Sequence, residues 1–377
     1  MKKMFLLCYS LAITAALQAQ VIHVPADYPN IQQGIDAATA GDTILVSPGT
    51  YIETPFVKAN IVLLGSGYES TFIDGAGTGN FSGSVVQING PGSTVEGFTI
   101  ENANLNPYGN YGAGIDGNYR FTARNNRIKN CRIGIRVVGS ENSSSIIERN
   151  IIHDNPGQCG IIVSGPSNVK IINNTIYKSN RGVEFTNCYP EVINNIVMNN
   201  SQFGIASFSG VVSVMKFNDV FNNGTDYQLI PNQTGINGNI SSDPLFANES
   251  VRNFNLSVNS PCIDSGDTLT PKDPDSTRTD MGALYIPHFA SMIEYDTKAC
   301  KELNAYPNPS SNLINIETTC RSVLSYLSVV NLNGQEVIYY QITEPYITID
   351  ISNLPPGVYF IRIVNKKTVE AMKIIKN

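Results

Sequence analysis

Residues 169–185 read VKIINNTIYKSNRGVEF. β-branched residues lead into an Asn-Asn pair, then come an apolar step, a polar turn and a Gly-apolar-x run. The same order recurs as FTARNNRIKNCRIGIR over 121–136, SIIERNIIHDNPGQCGII over 145–162 and PEVINNIVMNNSQFGIA over 190–206, with a shorter copy, KFNDV, at 216–220. The second Asn, or its equivalent, falls at Asn126, Asn150, Asn174, Asn195 and Asn218, a period of 24, 24, 21 and 23 residues. Repeats of this length signal a solenoid. Each period holds three short strand signals separated by turns, and no helical periodicity. One coil therefore fits three strands of a right-handed parallel β-helix, with coils stacked about 4.8 Å apart. The Asn side chains then fall in one turn of every coil, where stacked amides can hydrogen-bond along the column. Asn also tolerates the left-handed backbone such a turn needs.

The composition agrees with this. The chain has 377 residues, no Trp, 31 Gly, 20 Pro and 43 Asn, and only 15% charged residues. A net charge of −6 argues against nucleic acid as the main partner, because that interaction relies on Lys and Arg at phosphates. Upstream the repeat continues more loosely through residues 61–65, 71–75, 84–88 and 94–100. Residues 102–118 form a polar insertion, and a long loop on a solenoid is a candidate functional element. A helix over Ile31 to Ala40, N-capped by Asn30 and stopped by Gly41, is suited to plug the N-terminal end.

The N-terminus has Lys2 and Lys3, an apolar stretch from Phe5 to Leu17, and Ala19 before Gln20, which describes a secretory signal peptide over residues 1–20. The apolar run is too short for a membrane anchor. The expected organisation is a β-helix over 21–290, a linker over 291–302 and a small β-sandwich over 303–377. Of the six cysteines after the signal peptide, Cys131, Cys159 and Cys188 read as buried core residues. Cys300 and Cys320 flank a domain start and are the favoured disulfide pair.

PADYPNIQQGID at 25–36 with GDTILVSPGTY at 41–51 resembles the opening of pectin-lyase-like right-handed β-helix proteins. DPLF at 243–246, SPCIDSG at 260–266 and DMGALY at 280–285 resemble the terminal coils of a bacterial surface-protein branch. AYPNP at 305–309, SVVNLNG at 328–334, IDISNLPPGVY at 349–359 and KIIK at 373–376 resemble the C-terminal sorting domain of the type IX secretion system of Bacteroidetes. That resemblance implies engagement of the secretion machinery through residues 303–377, passage across the outer membrane, and an extracellular chain attached to the cell surface or released.

Pectin-lyase-like enzymes use the strand corresponding here to Gly-Ile-x. Its outward column reads Asp116, Arg136, Ile162, Glu184 and Ala206, because side chains alternate along a strand. Asp116, Arg136 and Glu184 are the candidate catalytic set, with Arg as the proton-abstracting base of a lyase-like groove. The bland alternative is a solvated face carrying surface ion pairs. Tyr108 and Tyr111 of the insertion, with Arg120, are the candidate substrate-binding residues. Arg120 opens a basic cluster that includes Arg124, Arg127, Lys129, Arg132 and Arg136. Asp273, Asp275 and Asp280 are the candidate metal ligands, for Ca²⁺. Asp273-x-Asp275-x-Thr277 spaces oxygen ligands as a calcium loop does, although Arg278 stands where such loops carry Gly. His153-Asp154 has no partner set for a metal or a triad. The function expected on these grounds is an exported β-helix that binds carbohydrate. The alternative is a polysaccharide lyase or glycoside hydrolase acting on an acidic polysaccharide.

Overall fold

A computed structural model describes residues 19–78, 83–103, 112–139, 144–208, 214–286, 303–318, 326–332, 336–341, 346–364 and 369–377. The chain divides into two compact units, Met1–Pro287 and His288–Asn377. The first unit is a parallel β-solenoid. Three sheets run along it, with nine strands in the first and eight in each of the others. The first runs from Val21–Val24 to Val214–Lys216, the second from Gly49–Ile52 to Asp219–Phe221, and the third from Phe56–Val57 to Tyr227–Gln228.

Every strand position is a column in register from coil to coil. Leu63, Val95, Ala123, Ile147, Ile171 and Val192 stack inside the first sheet, and Ile100, Ile128, Ile152, Ile176 and Val197 inside the second. All of these are fully buried. The Gly second in five consecutive third-sheet strands, Gly114, Gly134, Gly160, Gly182 and Gly204, is required by this packing, not by its dihedral angles. A Cβ on Gly160 would lie 2.6 Å from Ile176 Cγ2 and 2.8 Å from the Gly182 carbonyl oxygen.

The Asn pairs divide their work. The first member sits in the left-handed region, with φ of 53° at Asn125 and Asn173 and 58° at Asn194. The second member points into the coil and builds a ladder. Its Nδ2 donates to the Oδ1 of the equivalent Asn one coil on, from Asn126 through Asn150, Asn174, Asn195 and Asn218 to Asn239, at 2.9–3.1 Å. Each Oδ1 also accepts the backbone N–H of the preceding rung. A second, shorter ladder, which the repeat analysis does not anticipate, lies in the turn between the second and third sheets. There Asn200 Nδ2 donates to Asn223 Oδ1 at 2.8 Å, and the Ser179 N–H donates to Asn200 Oδ1 at 2.9 Å.

The capping helix spans Ile31–Ala37, three residues shorter than expected. Its Asn30 cap accepts the Gln33 N–H, and the Glu53 carboxylate accepts the N–H groups of Ile31 and Gln32. Ile31, Gly34 and Ile35 face the core.

The DPLF, SPCIDSG and DMGALY motifs are not terminal coils. After Ile240, which pairs with Asp219, the chain leaves the solenoid and runs back along the outside of the second sheet as a strap. Phe246, Phe254, Leu256, Cys262, Met281 and Ala283 of the strap pack on Ile151, Tyr177, Ile196 and Met198 of that sheet. The contact is pinned by Asn173 Nδ2 donating to the Asp280 carbonyl at 2.7 Å and by the Gly282 and Asp267 N–H groups donating to Asn194. Strands buried on both faces lose their polar alternation, which is why Ile-Val-Met at 196–198 is wholly apolar.

The second unit is a pair of antiparallel sheets. One holds Leu303–Tyr306, Leu313–Thr318 and Tyr346–Asp350, and the other holds Glu336–Gln341, Tyr326–Asn331, Gly357–Val364 and Val369–Lys376. Its core includes Ile314, Ile316, Leu327, Val329, Ile361 and Ile374. Cys131, Cys159, Cys188 and Cys262 are buried free thiols. The expected Cys300–Cys320 pair lies outside the described residues, as does the expected signal peptide up to residue 18.

Candidate functional site

Among the described residues the strap covers the second sheet and leaves the outer face of the third sheet as the run of polar side chains singled out from sequence. The column is real. Asp116 pairs in register with Arg136, Arg136 with Ile162, Ile162 with Glu184, and Glu184 with Ala206. What the register does not do is bring three groups to one point. Arg136 Nη1 binds Asp116 Oδ1 at 2.8 Å across adjacent coils, and Ser84 Oγ donates to Asp116 Oδ2 at 3.2 Å. Glu184 turns along its own strand to Arg181 Nη1 at 2.8 Å, and Arg181 Nε donates to Gln202. Ile162 stands between the two pairs. Two coil spacings put Arg136 and Glu184 roughly 10 Å apart along the column, beyond the hydrogen-bond reach that a concerted acid–base pair needs on a single substrate atom.

The remaining candidates are scattered. Tyr108 and Tyr111 lie outside the described residues. Arg120 is exposed in the turn that follows Ala113–Gly117. The basic cluster does not act as one patch. Arg124, on the first sheet, pairs with Glu96 at 2.7 Å, while Arg127 and Lys129, on the second, pair with Glu69 and Glu101, each at 2.8 Å.

The aspartates proposed for Ca²⁺ are committed elsewhere. Asp273 binds Arg149 at 3.1 Å and accepts the Asp280 N–H at 2.8 Å. Asp275 accepts from Thr277, closing its own turn. Asp280 accepts the N–H groups of Asp264 and Ile286 at 2.7 and 2.8 Å. Burial pushes the Asp280 carboxyl up to about 6, helped by the nearby Asp273 and Asp264. Among the described residues no group of three or more His, Cys, Asp or Glu side chains is placed to hold a metal ion. The spacing of a calcium loop is present; its geometry is a strap anchored by aspartates.

His153-Asp154 has a partner that local spacing cannot reveal. Arg252, on the strap, grips the Asp154 carboxylate with Nε at 2.6 Å and Nη2 at 2.8 Å, while His153 Nδ1 lies 2.7 Å from Asp154 Oδ2. Burial lowers the His153 pKa to about 4, so the ring is neutral at pH 7.

Residues 84–257 match the family described as the right handed beta helix region, and residues 304–377 match the secretion system C-terminal sorting domain. No curated protein matches the chain. Among solved structures, the rice weevil pectin methyl esterase shares 12% identity at a TM-score of 0.33, over 55% of this chain and 87% of that one. A tailspike protein from Acinetobacter baumannii bacteriophage Fri1, a capsular polysaccharide depolymerase, shares 11% identity at a TM-score of 0.34, over 95% of this chain and 78% of that one. Likeness at this level says nothing about activity. The sorting domain indicates export by the type IX secretion system, to the cell surface or beyond. No helix among the described residues is long and apolar enough to cross a membrane. The chain is a right-handed parallel β-helix protein that carries a C-terminal secretion-system sorting domain.

Proposed function

We propose that the β-helix binds polysaccharide at the cell surface or after release, using the outer face of the third sheet. The observation that supports this reading is the column that holds Asp116, Arg136 and Glu184 in register, with Arg181 beside it on the strand of Glu184, on one of the outer faces the strap leaves uncovered. Polar groups on three of these coils, with coils about 4.8 Å apart, present hydrogen-bonding partners along the line an extended chain would follow. Binding is favoured over catalysis because Arg136 and Glu184 are each tied to another partner and separated by Ile162.

The test is affinity gel electrophoresis of the secreted chain in pectin, alginate, xylan and β-glucan, with reducing-end release and unsaturated uronate followed in parallel. At least one polymer is expected to retard the protein, and Arg136→Ala to relieve that retardation, with no new reducing ends or double bonds. Migration unchanged in all four polymers overturns the reading. Product release abolished by Arg136→Ala replaces it with the lyase or hydrolase reading. For delivery, removal of residues 303–377 is expected to trap the β-helix inside the outer membrane; wild-type levels of the truncated chain in the medium would refute that assignment.

A further inference from the structure

A second site is built where the strap meets the second sheet. Here Tyr68, Arg127 and Lys129 on the solenoid face Val251, Arg252 and Phe254 on the strap across a groove of about 520 Å³, with His153 at its base. Two buried polar atoms in this groove have no hydrogen-bond partner: His153 Nε2 and Arg127 Nε. The His153 residue is only 4% exposed. Their polarities are opposite. Asp154 is an obligate acceptor at His153 Nδ1, so in the neutral ring the proton sits on Nδ1 and Nε2 carries a lone pair. Arg127 Nε–H is a donor. A buried acceptor and a buried donor without partners each carry a desolvation cost that a ligand can relieve.

The charges of the groove are already compensated. Glu69 takes both terminal nitrogens of Arg127 at 2.8 and 2.9 Å, Glu101 takes Lys129, and Asp154 takes Arg252. An anionic ligand would have to compete with these carboxylates. What remains unmet is one acceptor and one donor, beside the half-buried Tyr68 ring; the Phe254 ring is itself covered, at 2% exposed. The Arg127 guanidinium lies 4.6 Å from the centre of the Tyr68 ring, and the Phe254 ring lies 5.4 Å from His153. A hydroxyl both donates and accepts, and the C–H faces of a pyranose suit aromatic rings. Val251, 70% exposed, lines the same groove and offers a position from which its mouth can be altered without disturbing the core.

We infer that this groove is a binding site for a neutral, hydroxyl-rich saccharide, separate from the third-sheet face. It stands independently of the function proposed above.

The test is isothermal titration calorimetry of the full secreted chain with cellohexaose, xylohexaose, mannohexaose and maltohexaose, and with hexagalacturonate as the anionic comparator. At least one neutral hexaose is expected to bind. Tyr68→Ala, and Val251→Trp, which fills the mouth from an exposed position, are each expected to weaken that binding at least tenfold, whereas Asp116→Ala leaves it within twofold. His153→Phe, which sets a C–H where the ring acceptor was, is expected to weaken it similarly; its folding is checked by circular dichroism, and the exposed Val251 variant carries the test if it fails to fold. No heat with any neutral hexaose overturns the inference, and so does binding confined to hexagalacturonate. Binding that survives both Tyr68→Ala and Val251→Trp, or that Asp116→Ala abolishes, also overturns it, the last by moving the site to the third sheet.

Discussion

Replacing Asn174 with Ala removes the middle rung of the longer ladder. The Asn174 side chain accepts from the Asn150 N–H and Nδ2, both at 3.0 Å. It donates to the Ile147 carbonyl at 2.8 Å, the Ile172 carbonyl at 3.1 Å and Asn195 Oδ1 at 3.0 Å. The methyl group of Ala replaces none of these, and the site is fully buried. Asn150 N–H loses its acceptor inside the protein, at roughly 2 kcal/mol, and two further net hydrogen bonds at about 1 kcal/mol each bring the loss near 4 kcal/mol. In a solenoid the damage propagates through neighbouring coils, so it appears in the main unfolding transition of the β-helix. Urea unfolding of the secreted chain, followed by far-ultraviolet circular dichroism, measures it as a lower midpoint. Asn174→Asp keeps the shape and reverses the donor, setting a carboxylate against three oxygens, so at pH 7 it is expected to be worse than Ala. A loss below about 1 kcal/mol for Ala, or an Asp variant more stable than the Ala variant, would refute the claim that the ladder holds the coils together.

Gly160→Ala forces a Cβ to within 2.6 Å of Ile176 Cγ2, and the core must shift at a cost of about 1–3 kcal/mol, read as a lower melting temperature. Phe254→Ala removes the ring that packs edge-on against Tyr177 and Phe246, each at 5.2 Å between centroids; about 3–5 kcal/mol is lost, and limited proteolysis should cut the strap before the solenoid. The pH dependence carries a defined sign. His153 has a folded pKa of about 4 against an ordinary 6.5, so the unfolded chain binds the proton first, and stability falls as pH drops from about 6.5 to 4, by about 3 kcal/mol at most. His153→Gln should flatten that part of the stability curve. Asp219 and Asp280, whose carboxyls burial pushes up to about 6, run the other way: the folded chain takes up their protons first, and their contribution grows as pH falls from 6 towards 3.8. Asp219→Asn therefore steepens the acid loss that remains, measured by urea midpoints between pH 4 and 7.

How much of this was legible in the sequence follows from which contacts are periodic. The coil register is periodic, so five spaced Asn residues and the Gly-Ile-x runs suffice to place Asp116, Arg136 and Glu184 on one face, and the structure puts them there. Neighbours along that face are a different matter. The choice of Arg181 over Arg136 as partner for Glu184 depends on side-chain direction three residues away on the same strand, which a column of letters does not carry. The strap is the larger case. Its motifs resemble terminal coils because they are apolar at short intervals, but among the described residues the ladder ends at Asn239, and Asn259, 20 residues on, does not extend it. The complementary sign lies earlier. Tyr177, Ile196 and Met198 point outward from the second sheet in a chain that otherwise alternates, and an exported protein does not leave such a face wet. Low charge and apolar doublets were thus two readings of one fact. The solenoid buries one of its outer faces as well as its interior, and the groove beside His153 exists because that cover stops short, where the second sheet changes from Tyr177 to Lys129.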